Sequence, residues 1–178
     1  MSDWIGNGLD GWAQGLLATR FETLLVDEPL PQVLRVTLNR EDASNAFNTR
    51  CGHELFAVFH PLEIERTRFR CVILTGAGTK AFCAGGDLKE RKHLDEHEWV
   101  LQHEFFERTF RHILNCPIPV IAAVNGAAYG GGLEVVLEPR NYFPFSTESQ
   151  FGILWQYWYN KDPRGEEPPA APKKQMEL

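Results

Sequence analysis

The chain has 178 residues, 43% hydrophobic and 24% charged, the make-up of a soluble globular protein long enough for one domain with a core of its own. Its formal net charge of −6 argues against broad binding to nucleic acid or to an anionic membrane, which needs a basic surface, but leaves room for a local basic pocket around a phosphorylated ligand. Four cysteines without C-x-x-C spacing argue against a disulfide framework, and no apolar run reaches membrane-span length.

Residues 1–20 read as an N-terminal extension that mixes glycine with Trp4, Trp12 and Leu16-Leu17. Asp3 and Asp10 precede the first basic residue, Arg20, which fits neither a secretory signal nor an Arg-rich transit peptide, so a cytoplasmic protein is expected. Phe21 to Val26 and Val33 to Leu38 alternate as strands around the turn Asp27–Pro31, and a hairpin is the simplest reading. A polar loop, Asn39 to Ala46, follows; it either caps the next helix through Asn48 or Thr49 or serves a ligand. Helical spacing runs from Thr49 to Glu65, with Pro61 predicting a kink or an early end.

Cys71–Thr75 is a strand ended by Gly76-Ala-Gly78. Ala81 to Gly86 then leads into Asp87 and Glu90, an acidic-capped helix start. The helical pattern continues to Asn115, with one interruption, until Pro117 stops it. Its aromatic stripe, including Phe105, Phe106 and Phe110, reads as core. His93 and His97 lie four apart but among Lys92, Asp95 and Glu96, so they read as solvated surface, and no metal site is expected.

Ile118 to Val124 is short and apolar enough for a strand buried on both faces. Asn125-Gly126 marks a turn, Gly130-Gly131-Gly132 follow, and Leu133 to Leu137 read as the first turns of a buried helix. Glycines at a helix start leave backbone N–H groups open to a closely approaching ligand, where the dipole favours negative charge. Gly86 repeats this design beside the helix that Asp87 caps. Two such donors aimed at one oxygen would make an oxyanion hole, and Glu134, about one turn beyond Gly131, would place a carboxylate nearby. Leu133, Val135 and Val136 should partly desolvate that carboxylate.

Phe82-Cys-Ala-Gly-Gly-Asp-Leu-Lys-Glu90 and Ala123-Val-Asn-Gly-Ala-Ala-Tyr-Gly-Gly-Gly-Leu-Glu134 resemble the two signature segments of the enoyl-CoA hydratase/isomerase (crotonase) superfamily. The resemblance runs from about Phe21 to about Leu137. It implies an α/β fold, a crotonase-like ββα spiral incomplete at the C-terminus, with residues 21–152 as its core; residues 153–178 diverge from it and, polar and Pro-rich from Tyr157 on, read as a disordered tail. It implies an acyl-CoA thioester substrate of the kind met in fatty acid metabolism. The thioester oxygen lies between the N–H groups of Gly86 and Gly131, and Glu134 is the acid/base. Ala46 and Ala84 offer backbone contacts to coenzyme A, with Asp87, Leu88 and Lys89 also at the substrate. No cofactor is implied beyond the coenzyme A of the substrate itself. In the loop that helps hold adenine in the resembled family, Asn45-Ala46 are intact but Glu41 replaces the usual proline.

After Leu137 the resemblance fades. Ser146 to Gly152 keeps some of the family's local flavour, but the second glutamate used for hydration is replaced by Ile153–Trp155, and neither Glu138 nor Glu148 fits its place. The expectation is therefore a hydratase/isomerase-type enzyme with reduced hydration and a one-carboxylate chemistry such as double-bond isomerisation. The alternatives are a non-catalytic acyl-CoA binder and a truncated fragment, including one made by a frameshift or altered splice. The family's homotrimer is expected only where its C-terminal region is present.

Two rival readings stay open. Gly130–Gly132 alone would also suit tight strand–helix packing, and Glu134 could be a structural carboxylate. Gly76-Ala-Gly-Thr-Lys-Ala81 satisfies G-x-G-x-x-A, but a dinucleotide site needs a helix starting within those glycines, whereas the first good cap is Asp87.

Overall fold

A computed structural model describes residues 8–137 and 145–146. The readings made for the first seven residues, for Glu138 and Glu148, for the end of the core and for the tail lie outside the described residues. Among those described, no helix is long and apolar enough to cross a membrane.

Helix α1 (Gly8–Ala18) buries Trp12, Ala13 and Leu16, so part of the segment read as an extension packs into the core. Strands β1 (Leu24–Leu30) and β2 (Val33–Leu38) form the expected antiparallel hairpin, but its turn is Pro31-Gln32: Asp27 to Leu30, expected in the turn, continue β1. Helix α2 (Thr49–Leu62) is capped by Asn48, whose side chain accepts from the Cys51 N–H, and it holds Pro61 in its last turn and ends one residue later. Glu54 on α2 is buried yet satisfied: the Thr23 hydroxyl, the Glu22 and Thr23 N–H groups and Arg50 all donate to it. It ties the helix to the start of the hairpin.

Strand β3 (Cys71–Gly76) and strand β5 (Val120–Val124) add to β2 in parallel. Their buried residues fall in register, Leu34 beside Val72 and Val120, and Val36 beside Leu74 and Ala122. Period-two alternation thus delivers one apolar face to the core, and β5, with Ile121 and Ala123 half-exposed between buried residues, is not buried on both faces as expected. The short strand β7 (Phe145–Ser146) pairs in parallel with β5, giving the order β1-β2-β3-β5-β7.

A second, two-stranded sheet stands apart from the first: β4 (Ala81–Cys83) beside β6 (Ala127–Ala128), again parallel. The chain enters each of these strands from a strand of the large sheet and leaves each toward a helix. The helical pattern from Asp87 splits into α3 (Leu88–Arg91) and α4 (Glu96–Leu114). The interruption is set by a full capping box, Asp95 with Glu98, at the start of α4. Helix α5 spans Gly131–Leu137. On α4 the inward face carries Gln102, Phe106, Thr109 and Ile113, and Phe105 and Phe110 pack partly buried against the core, so the aromatic stripe is core, while Val100 and Leu101 of the same helical pattern, with Trp99, remain exposed.

Candidate active site

The two glycine-rich connections meet beside β4 and β6. Tyr129 N–H donates to the Cys83 carbonyl at 2.9 Å. Gly85 has φ +87°, and a Cβ there would stand 2.8 Å from the Tyr129 carbonyl oxygen and 3.4 Å from the Gly131 nitrogen. Glycine is therefore required at 85 both by the left-handed backbone and by the approach of the second loop. Gly132 is equally committed to packing, since a Cβ there would lie 2.5 Å from the Cys83 carbonyl oxygen. Gly131 is different: its Cβ would meet nothing nearer than the Phe110 ring at 3.4 Å, so tight packing explains its neighbours but not Gly131 itself.

The direction of each amide follows from its peptide plane. The Gly85 carbonyl accepts from Phe47 N–H at 2.7 Å, and in a trans peptide the next N–H points the opposite way, so Gly86 N–H faces away from Phe47. The Gly130 carbonyl accepts from Leu133 and Glu134 N–H, so Gly131 N–H points out of the start of α5. Neither amide has a hydrogen-bond partner among the described residues, and both glycines are partly exposed.

Glu134 lies one turn into α5, and its Oε2 is 3.9 Å from the position of a Gly131 Cβ. Its side chain is exposed and forms no hydrogen bond or ion pair with any described residue. Leu133, Val135 and Val136 are buried, but neighbours one or two positions away point to other sides of the helix, so Glu134 is exposed rather than partly buried as expected. Phe110 sits 5.1 Å, ring to ring, from Phe47, and these two rings form an apolar wall beside Gly131.

Arg91 is a residue that sequence patterning missed. Its guanidinium covers Gly86: a Cβ on Gly86 would lie 2.8 Å from Arg91 Cζ. Arg91 Nε donates to buried Gln102 at 3.2 Å, and its guanidinium stands 5.8 Å from the ring centres of both Trp99 and Phe106. It brings a positive charge beside one of the two free amides. Nothing in the local sequence marks Arg91, because its position depends on the break between α3 and α4.

The other expected site residues divide by what already holds them. Ala84 donates its N–H to Ser44, and its carbonyl has no partner among the described residues. Ala46 is buried; its N–H donates to Ala43 and its carbonyl accepts from Arg40 Nη1 at 2.6 Å. Leu88 and Lys89 are exposed at the start of α3. Asn45, with φ 55°, is locked by donating to the Ala77 and Ala81 carbonyls and accepting from Arg40 N–H.

Asp87 is held internally rather than left open. It caps α3 by accepting from Lys89 and Glu90 N–H, and it pairs with Arg40 at 2.8 Å. Burial pushes its carboxyl up, but Arg40 and the two capping N–H groups outweigh burial and hold it below the usual aspartate range. A group depressed in the folded state contributes stability that is complete above its ordinary value and lost as pH falls through the folded one. Asp87→Asn keeps a capping side chain but removes the charge, and should cost about 1–3 kcal/mol at neutral pH. Thermal melts of both proteins from pH 7 to pH 3 check this: the gap should close toward acid, and a gap independent of pH would refute the ion pair's role.

Burial pushes the thiols of Cys51, to about 12, and Cys83 upward, which marks both as packing residues rather than nucleophiles. The dinucleotide reading fails, because Gly76-Ala-Gly78 leads into strand β4 and not into a helix. A cluster of His60, Glu63 and His112 also escaped the spacing rules, since it joins two separate helices.

The comparisons with known proteins bear on the same stretch. The family model described as enoyl-CoA hydratase/isomerase matches residues 30–142. YngF of Bacillus subtilis, an enoyl-CoA hydratase/isomerase by name, is 46% identical over 102 residues, covering 57% of this chain and 39% of its own length. The short-chain-enoyl-CoA hydratase of Clostridium acetobutylicum is 40% identical over 106 residues, covering 60% of this chain and 40% of that protein. The crystal structure of an enoyl-CoA hydratase from Bacillus anthracis superposes with a TM-score of 0.66 at 38% identity, covering 70% of this chain and 47% of that one. The chain thus spans less than half the length of each of these relatives.

Proposed function

The chain belongs to the enoyl-CoA hydratase/isomerase family, and from that premise we propose that it takes an acyl-CoA thioester and moves a proton on its acyl chain. The observation that carries this reading is the pair of amides, Gly86 N–H and Gly131 N–H, on loops in contact, with the Glu134 carboxylate one turn away, none of the three having a partner among the described residues. In this reading both amides donate to the thioester oxygen. Glu134 takes a proton from the α-carbon of a 3-enoyl thioester, and the C–H electron pair passes through the carbonyl to give an enolate. The same carboxylate then returns the proton to the γ-carbon, so that the double bond moves into conjugation and no atom is gained or lost.

Fixed donors act at the oxygen where charge develops and do not have to reorganise during the reaction. Arg91 adds positive charge on the Gly86 side, and the Phe47–Phe110 wall limits water beside the acyl carbons. The free Ala84 carbonyl is the better of the two expected backbone contacts to coenzyme A, since both backbone groups of Ala46 are engaged. Hydration needs a second carboxylate to hold the attacking water. Among the described residues Glu134 is the acid this site supplies, and Glu90 is occupied by Thr49 N–H and Gln102. Ile153–Trp155 stand in the sequence where the resembled family has its second glutamate, and this favours isomerisation over hydration.

Parallel assays of 3-enoyl-CoA isomerisation and crotonyl-CoA hydration, with calorimetric titration of a saturated acyl-CoA, test the reading. Isomerisation should be the faster reaction. Hydration at an equal or higher rate would overturn the one-carboxylate mechanism, and binding without either turnover would make the chain an acyl-CoA binder.

A further inference from the structure

A second site lies across α4 from the amide pair. His60 in the last turn of α2, Glu63 just after it and His112 in the last turn of α4 each offer one ligand atom, and these atoms all lie within 4.8 Å of one another. We propose that they bind a divalent transition-metal ion of the zinc class, with two imidazoles and one carboxylate as ligands. His112 follows Phe110 by two residues, about 200° around the helix, so this cluster and Gly131 face different sides of α4.

The geometry is close to what such an ion requires. Ligand atoms of a tetrahedral zinc, each about 2.0–2.1 Å from the metal, stand about 3.3 Å apart. His112 Nδ1 is now 2.7 Å from Glu63 Oε1, so that pair must open slightly while the widest pair closes. The aromatic packing orients both rings: Phe56 stacks on His60 at 4.9 Å and meets His112 edge-on at 5.0 Å. His60 Nδ1 is buried without a hydrogen-bond partner among the described residues, so no hydrogen bond they offer at that nitrogen accounts for a histidine at this position.

The field also suits a cation, because His60 and His112 each lie in the last helical turn, where the partial negative charge of the helix end collects. Three protein ligands leave a fourth position free. Glu63 and His112 line an open cavity of about 510 Å³ together with Phe105, Arg108, Arg111 and Asn115. The two arginines oppose a bare dication and favour an anion, such as hydroxide or a carboxylate, at its open position.

Titration of the metal-free full chain with Zn²⁺ should show one tight equivalent, and Co²⁺ should give the visible absorption of a four-coordinate site. His60→Gln and His112→Gln should each weaken Zn²⁺ binding by more than the roughly 10–100-fold that loss of an outer-shell partner costs, whereas a His93→Gln/His97→Gln double variant should bind normally. The proposal is overturned if the unmutated chain binds no stoichiometric Zn²⁺, if Co²⁺ shows only the octahedral aquo spectrum, or if binding follows His93 and His97. The Co²⁺ measurement needs no variant, so a destabilised mutant leaves the test intact.

Discussion

Glu134→Gln is expected to lower acyl-CoA turnover by about 10²–10⁴-fold, the range that a positioned acid–base group contributes, while affinity for a saturated acyl-CoA stays nearly unchanged. Glutamine has the shape of glutamate but cannot take up the proton, so it isolates chemistry from packing. The exposed position and the absence of any partner among the described residues predict a fold effect within about 0.5 kcal/mol. Measuring kcat beside the dissociation constant separates the outcomes. Equal turnover in the variant would remove Glu134 from the mechanism, and a large loss of binding would mean that the carboxylate holds the ligand instead.

The second large effect concerns a single hydrogen atom. Gly131 is the first residue of α5, the one helical position where proline is well tolerated because its N–H has no helical partner. Gly131→Pro deletes the proposed donor, and Gly131→Ala keeps it, with the Phe110 ring at an ordinary 3.4 Å from the new Cβ. Proline should lower kcat by about 10²–10³-fold, equivalent to about 2.7–4 kcal/mol, and alanine should stay near the parent rate. Because the ring could also crowd Gly85, whose Cβ position is 3.4 Å from the Gly131 nitrogen, thermal melts accompany the assay. A folded proline variant with parent activity would rule out the amide.

The hairpin, strands β3 and β5 and the break before β5 were legible because alternation, apolar runs, turn residues and Pro117 act over a few neighbouring positions. Asp87 was legible as a cap for the same reason. Its ion pair with Arg40 was not, because that partner comes from the loop ahead of α2. The same limit hid the engagement of Ala46, whose carbonyl is taken by Arg40, and the exposure of Glu134, which flanking apolar residues had suggested would be partly buried.

By itself, the order of residues determined that two glycine-rich helix starts would each carry a free amide, and that a glutamate would follow one of them by a turn. Only the tertiary structure decided that Gly85 and Gly131 stand against each other, that Arg91 lies over Gly86, and that His60, Glu63 and His112 share one corner. The physical reason is range. Backbone propensity and capping are settled within a turn or two of chain, but convergence of distant segments depends on parallel pairing of β4 with β6 and on packing of α2 against α4, and no local pattern encodes where those surfaces meet.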